Sequence, residues 1–114
     1  MMQDIGRQVQ LLATSLGADY FGIADLAPAR DFIHAQGGER AARYPRSVVM
    51  GIRLQDSLVD LLPCRDAEGA ILYRHNSYDV VNANLDLIAL RIANLLQHEG
   101  FGAFPVPASK RTSD

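Results

Sequence analysis

The sequence predicts an α/β fold: a small, mostly parallel sheet of about three strands covered by helices, with one long crossover helix near the C-terminus. Three observations lead there. Val81, Leu85, Ile88, Ile92 and Leu95 recur at spacings of four, three, four and three, one face of a 3.6-residue period. Two short apolar runs, Tyr20–Ala24 and Ser47–Arg53, are hydrophobic on both faces, the pattern of buried strands. Helical and extended segments alternate along the chain, as layered α/β structures require.

In chain order, Ile5, Val9, Leu12 and Leu16 share a helical face over Gln3–Leu16, and Gly17 stops that helix. Strand Tyr20–Ala24 comes next. Pro28 turns the chain into two helical turns over Ala29–Ala35. Gln36–Gly38 reads as a loop and Arg40–Pro45 as irregular. Strand Ser47–Arg53 leads to a short helix, Leu58–Leu62, capped by Asp56 or Ser57 and ended by Pro63. Residues 63–72 read as a loop with Asp66–Gly69 at its tip, and Tyr73–Tyr78 as a polar, aromatic loop. Ser77 is placed to cap the long helix, with Asp79 in its first turn and His98 in its last. Gly100 ends that helix, folding Phe101 back towards Leu96, and Phe101–Val106 is expected as the third strand, reached by a right-handed crossover. The helix–glycine–strand pattern occurs twice, after Leu16 and after Glu99. Short connections of this kind commonly use a glycine, so an internal repeat is the lesser reading.

Composition bounds function. The chain has 114 residues, 48% hydrophobic and 21% charged, with a net charge of −2. This describes one soluble globular domain, residues 1–106, and then 107–114 as a tail or the start of a further region. Direct nucleic-acid binding is not expected from this charge, and Lys110 and Arg111 read as a solvated tail. No apolar run is long enough for a membrane span, no signal-peptide core is visible, and a cytoplasmic setting is the expectation. The single cysteine, Cys64, excludes an intrachain disulfide and a cysteine-only metal site.

Few chemical signatures are present. Gly100-Phe101-Gly102 comes after a helix, the reverse of a dinucleotide loop. His34, His75 and His98 do not share a helical face at metal spacing. Cys64 beside Arg65 has no histidine partner and reads as an inert thiol. Ser109 lacks the glycines of a nucleophile elbow. The remaining candidate is a polar cluster. Arg53 ends a buried strand, where ligands of open parallel sheets gather. Tyr73, His75, Asn76 and Tyr78 stand at the entry to the long helix, where free amides attract anions, and Asn82 lies one turn in. The competing reading has Tyr78 and Asn82 packing and capping the helix while Arg74 and His75 are solvated.

Four stretches in order, Leu16–Leu26, Pro45–Arg53, Tyr73–Asn82 and Gly100–Ser109, resemble the N-terminal region of epoxyqueuosine reductase-like iron–sulfur proteins. The resemblance covers most of the chain and rests on order and spacing of glycines and apolar residues. It implies oxidoreductase relatives that continue into a catalytic region and a module with two 4Fe–4S clusters. It also implies a cobalamin that removes the epoxide oxygen in tRNA queuosine synthesis. This chain lacks the C-x-x-C-x-x-C-x-x-x-C-P cysteines, so it binds no cluster alone. The resemblance therefore implies an N-terminal domain or truncated form, with no catalytic residue of its own. Its partner would be the missing cluster-binding region, and Arg53, His75, Tyr78, Asn82 and Ser109 would contact cofactor or substrate. The rival expectation is a stand-alone ligand-binding or dimerisation module, pairing with a second copy through its apolar helix face and sheet edge. A small enzyme acting through His75 and Cys64 is the third, unsupported by spacing.

Overall fold

The computed structural model describes residues 4–64 and 66–109; the Lys110–Arg111 tail, Arg65 and the Cys64 thiol lie outside this part. Helix α1 spans Ile5–Ser15, strand β1 Tyr20–Asp25, helix α2 Arg30–Ala42 and strand β2 Arg46–Gly51. Helix α3, Asp56–Val59, is short, and helix α4, Ala67–Tyr73, continues through a π-helical segment, Arg74–Val80, into helix α5, Val81–His98.

Local chemistry explains the boundaries. Asp4 caps α1 by accepting from the Gly6 amide at 2.9 Å. At its other end Gly17 takes φ 111°, and Ala18 N–H and Gly17 N–H donate to the Ala13 and Thr14 carbonyls. The same pair of bonds ends α5: Gly100 takes φ 90°, Phe101 N–H donates to Leu96 O and Gly100 N–H to Gln97 O. Both are Schellman closures, which need the left-handed conformation that glycine adopts without a Cβ penalty.

The sheet overturns the expected topology. Its two strands pair antiparallel, from Tyr20 opposite Gly51 to Asp25 opposite Arg46. The reason lies in the connection. Gly38, at φ 79° and ψ −174°, breaks α2 and lets the chain double back. Pro45 is thereby delivered opposite Leu26, whose N–H donates to the Pro45 carbonyl at 2.9 Å. The connection returns to the end of the sheet it left, so no parallel crossover forms. Nor is there a third strand: Phe101–Val106 has no regular pairing among the described residues. Asp86 Oδ1 accepts a bond from Ala108 N–H at 2.8 Å, and that contact holds the segment beside α5 rather than in the sheet.

The loops expected over 63–72 and 73–78 are largely helical as well. Asp66 caps α4 by accepting from the Gly69 amide, so the helical run starts far upstream of Ser77. Ser77 is buried in the middle of the run and caps nothing.

The core forms where α1 and α5 lie on one face of the sheet. Val9, Ala13, Ala18, Ile88 and Ile92 are buried there, with Phe21, Val48 and Met50 from the strands packed against them. The helical stripe through Ile88 and Ile92 is therefore oriented as its periodicity implies. In an antiparallel pair, partners opposite one another share a face. Phe21, Ile23, Val48 and Met50 thus project towards the helices, while Tyr20, Gly22, Ala24, Ser47, Val49 and Gly51 form the other face. Tyr20 and Val49 on that outer face are 62% and 55% exposed.

The molecule is open for its size. Its accessible surface is 8801 Å² at 12.5 kDa, against about 6,200 Å² for a compact monomer of this mass. Its radius of gyration is 16.8 Å, against about 13 Å for a compact domain of this length. No helix among the described residues is long and apolar enough to cross a membrane.

Candidate functional site

A groove of about 380 Å³ lies between β2, α5, the end of α2 and the C-terminal extended segment. Its floor is Val48 and Met50 with Ile92 behind them, and its α5 wall is Ala89, Ala93 and Leu96. These wall residues belong to a second stripe on α5: Asn82, Asp86, Ala89, Ala93 and Leu96, again at spacings of four, three, four and three. Small residues at Ala89 and Ala93 leave room beside the helix. The opposite wall is residues 102–106, and Phe104 stacks on Tyr44 with ring centroids 6.1 Å apart and planes within 14°. The Arg43 guanidinium lies 5.7 Å from the Tyr44 ring centroid, and Arg46 is the charged residue on the groove lining. Apolar walls with few polar groups are typical of small-molecule sites.

None of the five candidate residues, Arg53, His75, Tyr78, Asn82 and Ser109, is on the groove lining. His75, Tyr78 and Asn82 succeed one another along the helical run, and Asn82 shares a helical stripe with the groove residues Ala89, Ala93 and Leu96 but lies short of the lining itself. Ser109 is next to Ala108, which bonds to Asp86 one turn beyond Asn82, so both are held on this side of α5. His75 is exposed, and Tyr78, also exposed, carries the Arg74 guanidinium 5.4 Å from its ring centroid.

Arg53 is engaged in a surface ion pair. Its guanidinium donates to both Asp56 carboxylate oxygens at 3.0 and 3.2 Å, and its backbone N–H to Asp19 Oδ2 at 2.8 Å. The carboxyl-end rule that singled it out applies to parallel strands, and this sheet is antiparallel. The anion site expected at the entry to the long helix is also corrected. That point lies within a continuous helical run, with backbone angles of φ −61°, ψ −48° at Tyr73 and φ −64°, ψ −44° at Val81, so the four free amides of a helix start are not there.

The π-helical segment adds a feature that composition did not signal. Asn76 Oδ1 and Ser77 Oγ are both shielded from solvent with no hydrogen-bond partner among the described residues. Segments of this kind are rare and often mark functional positions. Sequence reading also missed Tyr44, Ala89, Ala93 and Phe104. The second 4-3-4-3 stripe was the signal that could have found two of them.

Among the described residues no three His, Cys, Asp or Glu side chains come close enough to hold a metal ion. With one cysteine in the chain, the four thiolates of an iron–sulfur cluster cannot come from this chain. An apolar wall of about 380 Å³ fits one side of a large ligand and cannot enclose a corrin. Comparison with family models, with curated proteins and with solved structures finds no match for this chain.

Proposed function

We propose that this chain is a non-catalytic scaffold, the N-terminal domain or a truncated form of an epoxyqueuosine reductase-like redox protein. In this reading it supplies one wall of a cofactor or substrate pocket, while the clusters and the chemistry reside in another region. The observation that carries the reading is the groove along Ala89, Ala93 and Leu96, apolar, open on one side and poor in titratable groups. An apolar face of the ligand would lie against Ala89 and Ala93, with Asn82 and Ser109, beyond the lining, as hydrogen-bonding groups for its polar periphery. A bound corrinoid would supply the reductive chemistry; the role of this chain is to seat it and exclude water.

Cobalamin titration monitored by visible absorbance tests the reading. A saturable band shift with a dissociation constant of about 1 mM or tighter is expected, and it should disappear in Ala93→Phe, which fills the groove. Absence of any shift at millimolar cobalamin overturns the proposal.

A further inference from the structure

We propose that the free edge of β2 takes an extended segment of another polypeptide as a third strand, seated in the groove beside it. This goes beyond the scaffold reading and does not depend on a bound corrinoid.

The phase of the ladder decides which backbone groups face that edge. In an antiparallel pair, opposed residues that exchange both hydrogen bonds alternate with opposed residues that exchange none. Leu26 N–H donates to the Pro45 carbonyl in register, so the bonded pairs are Ala24 with Ser47, Gly22 with Val49 and Tyr20 with Gly51. The N–H and C=O groups of Val48 and Met50 therefore point away from β1, and they bond to no other backbone group among the described residues. Such an edge is a template for another strand unless something guards it. β2 contains no lysine and no proline, and its one charge, Arg46, stands at its first position.

The groove follows this edge and fixes the chemistry of the occupant. Ser47, whose side chain belongs to the outer face of the sheet, is on the lining together with Val48 and Met50 of the inner face. The groove thus runs along the rim of the strand rather than over one face. The chain's own residues 102–106 stand on the opposite wall, and the Ala108–Asp86 bond holds them there. A helix does not suit the edge, because its backbone groups are already bonded within it. An extended backbone presents donors and acceptors at the same two-residue interval as Val48 and Met50. Its inward side chains would meet Ala89, Ala93 and Leu96 and must be apolar, while the alternate ones stay in water. The partner is therefore a segment of about six residues, the length of β2, with apolar residues at every second position.

Amide NMR of the full chain, without and with a short capped peptide alternating valine and threonine, tests the proposal. Without peptide, the Val48 and Met50 amides should exchange with solvent about tenfold or more faster than those of Val49 and Gly51, which face β1. The peptide should bind with a dissociation constant of about 1 mM or tighter, shifting the Val48 and Met50 amides and slowing their exchange. N-methylation of one alternate set of peptide residues should weaken binding about tenfold or more, because it removes the donors that face β2. Methylation of the other set should leave binding unchanged. Equal effects from both sets, or no binding at millimolar peptide, overturn the proposal. Val48 and Met50 amides already protected without peptide overturn it too: in a monomer the chain's own segment then holds the edge, and in a dimer a second copy does. The groove is shared with the cobalamin reading, but that binding is followed by visible absorbance and this by backbone amides, so either idea can fail without the other.

Discussion

Asp86 and Ala108 are joined by a 2.8 Å hydrogen bond from the Ala108 amide to the Asp86 carboxylate, across 22 residues of sequence. That bond determines what the C-terminal segment is. Bonded to a helix side chain rather than to a strand, residues 101–108 stay out of the sheet, and residues 102–106 form the groove wall.

Asp86→Ala should release this segment. The site is exposed, and a hydrogen bond to a charged group contributes about 1–3 kcal/mol at most. A melting-temperature drop of a few degrees is expected, with faster amide hydrogen exchange over 101–108 and unchanged exchange in β1 and β2. Equal acceleration in the strands would contradict this attachment.

Ile88 is 1% exposed at the centre of the core. Ile88→Ala should cost about 2–5 kcal/mol through lost burial and the cavity left behind. Ile88→Asp, which places an unpaired carboxylate there, should abolish cooperative unfolding in urea. A native-like transition for Ile88→Asp would refute the placement of α5.

Gly17 and Gly100 both sit at positive φ, whereas Gly22 does not. Gly17→Ala and Gly100→Ala should each destabilise by about 1–2 kcal/mol, the cost of a Cβ in the left-handed region. Chemical denaturation of the pair, with Gly22→Ala as reference, measures the difference.

Ser77→Ala should be neutral or stabilising by about 1 kcal/mol, because it removes a shielded hydroxyl that has no partner among the described residues. A loss of more than that in thermal unfolding would mean that the hydroxyl bonds to something in solution.

Much of this architecture was legible because it derives from periodicity. The α1 stripe through Val9 and the α5 stripe through Ile88 and Ile92 are buried as their spacing implies, and Gly17 and Gly100 close their helices. Both strands lie within two residues of where apolar runs put them. Strand direction was not legible. It turns on Gly38, one residue in a stretch of weak amphipathicity, whose positive φ reverses the chain between β1 and β2. Phe101–Val106 has strand composition but no ladder, since composition does not specify which backbone partner is available. The Tyr73–Tyr78 run looked like a loop because its polar and aromatic residues show no 3.6-residue pattern. A π-helical winding does not produce one. At the site, Asn82 lies on the helix that lines the groove but not on its lining, and the rule that singles out Arg53 belongs to a parallel sheet the chain does not build.

The wide turns between Arg74 and Val80 also set an angular phase. In an ordinary α-helix each residue advances the winding by about 100°. Removing one residue from this stretch would tighten it and swing α4 around the common axis by roughly that angle, while α5 stayed seated. Chain length here works as a dial for the direction in which Ile71 and Leu72 point.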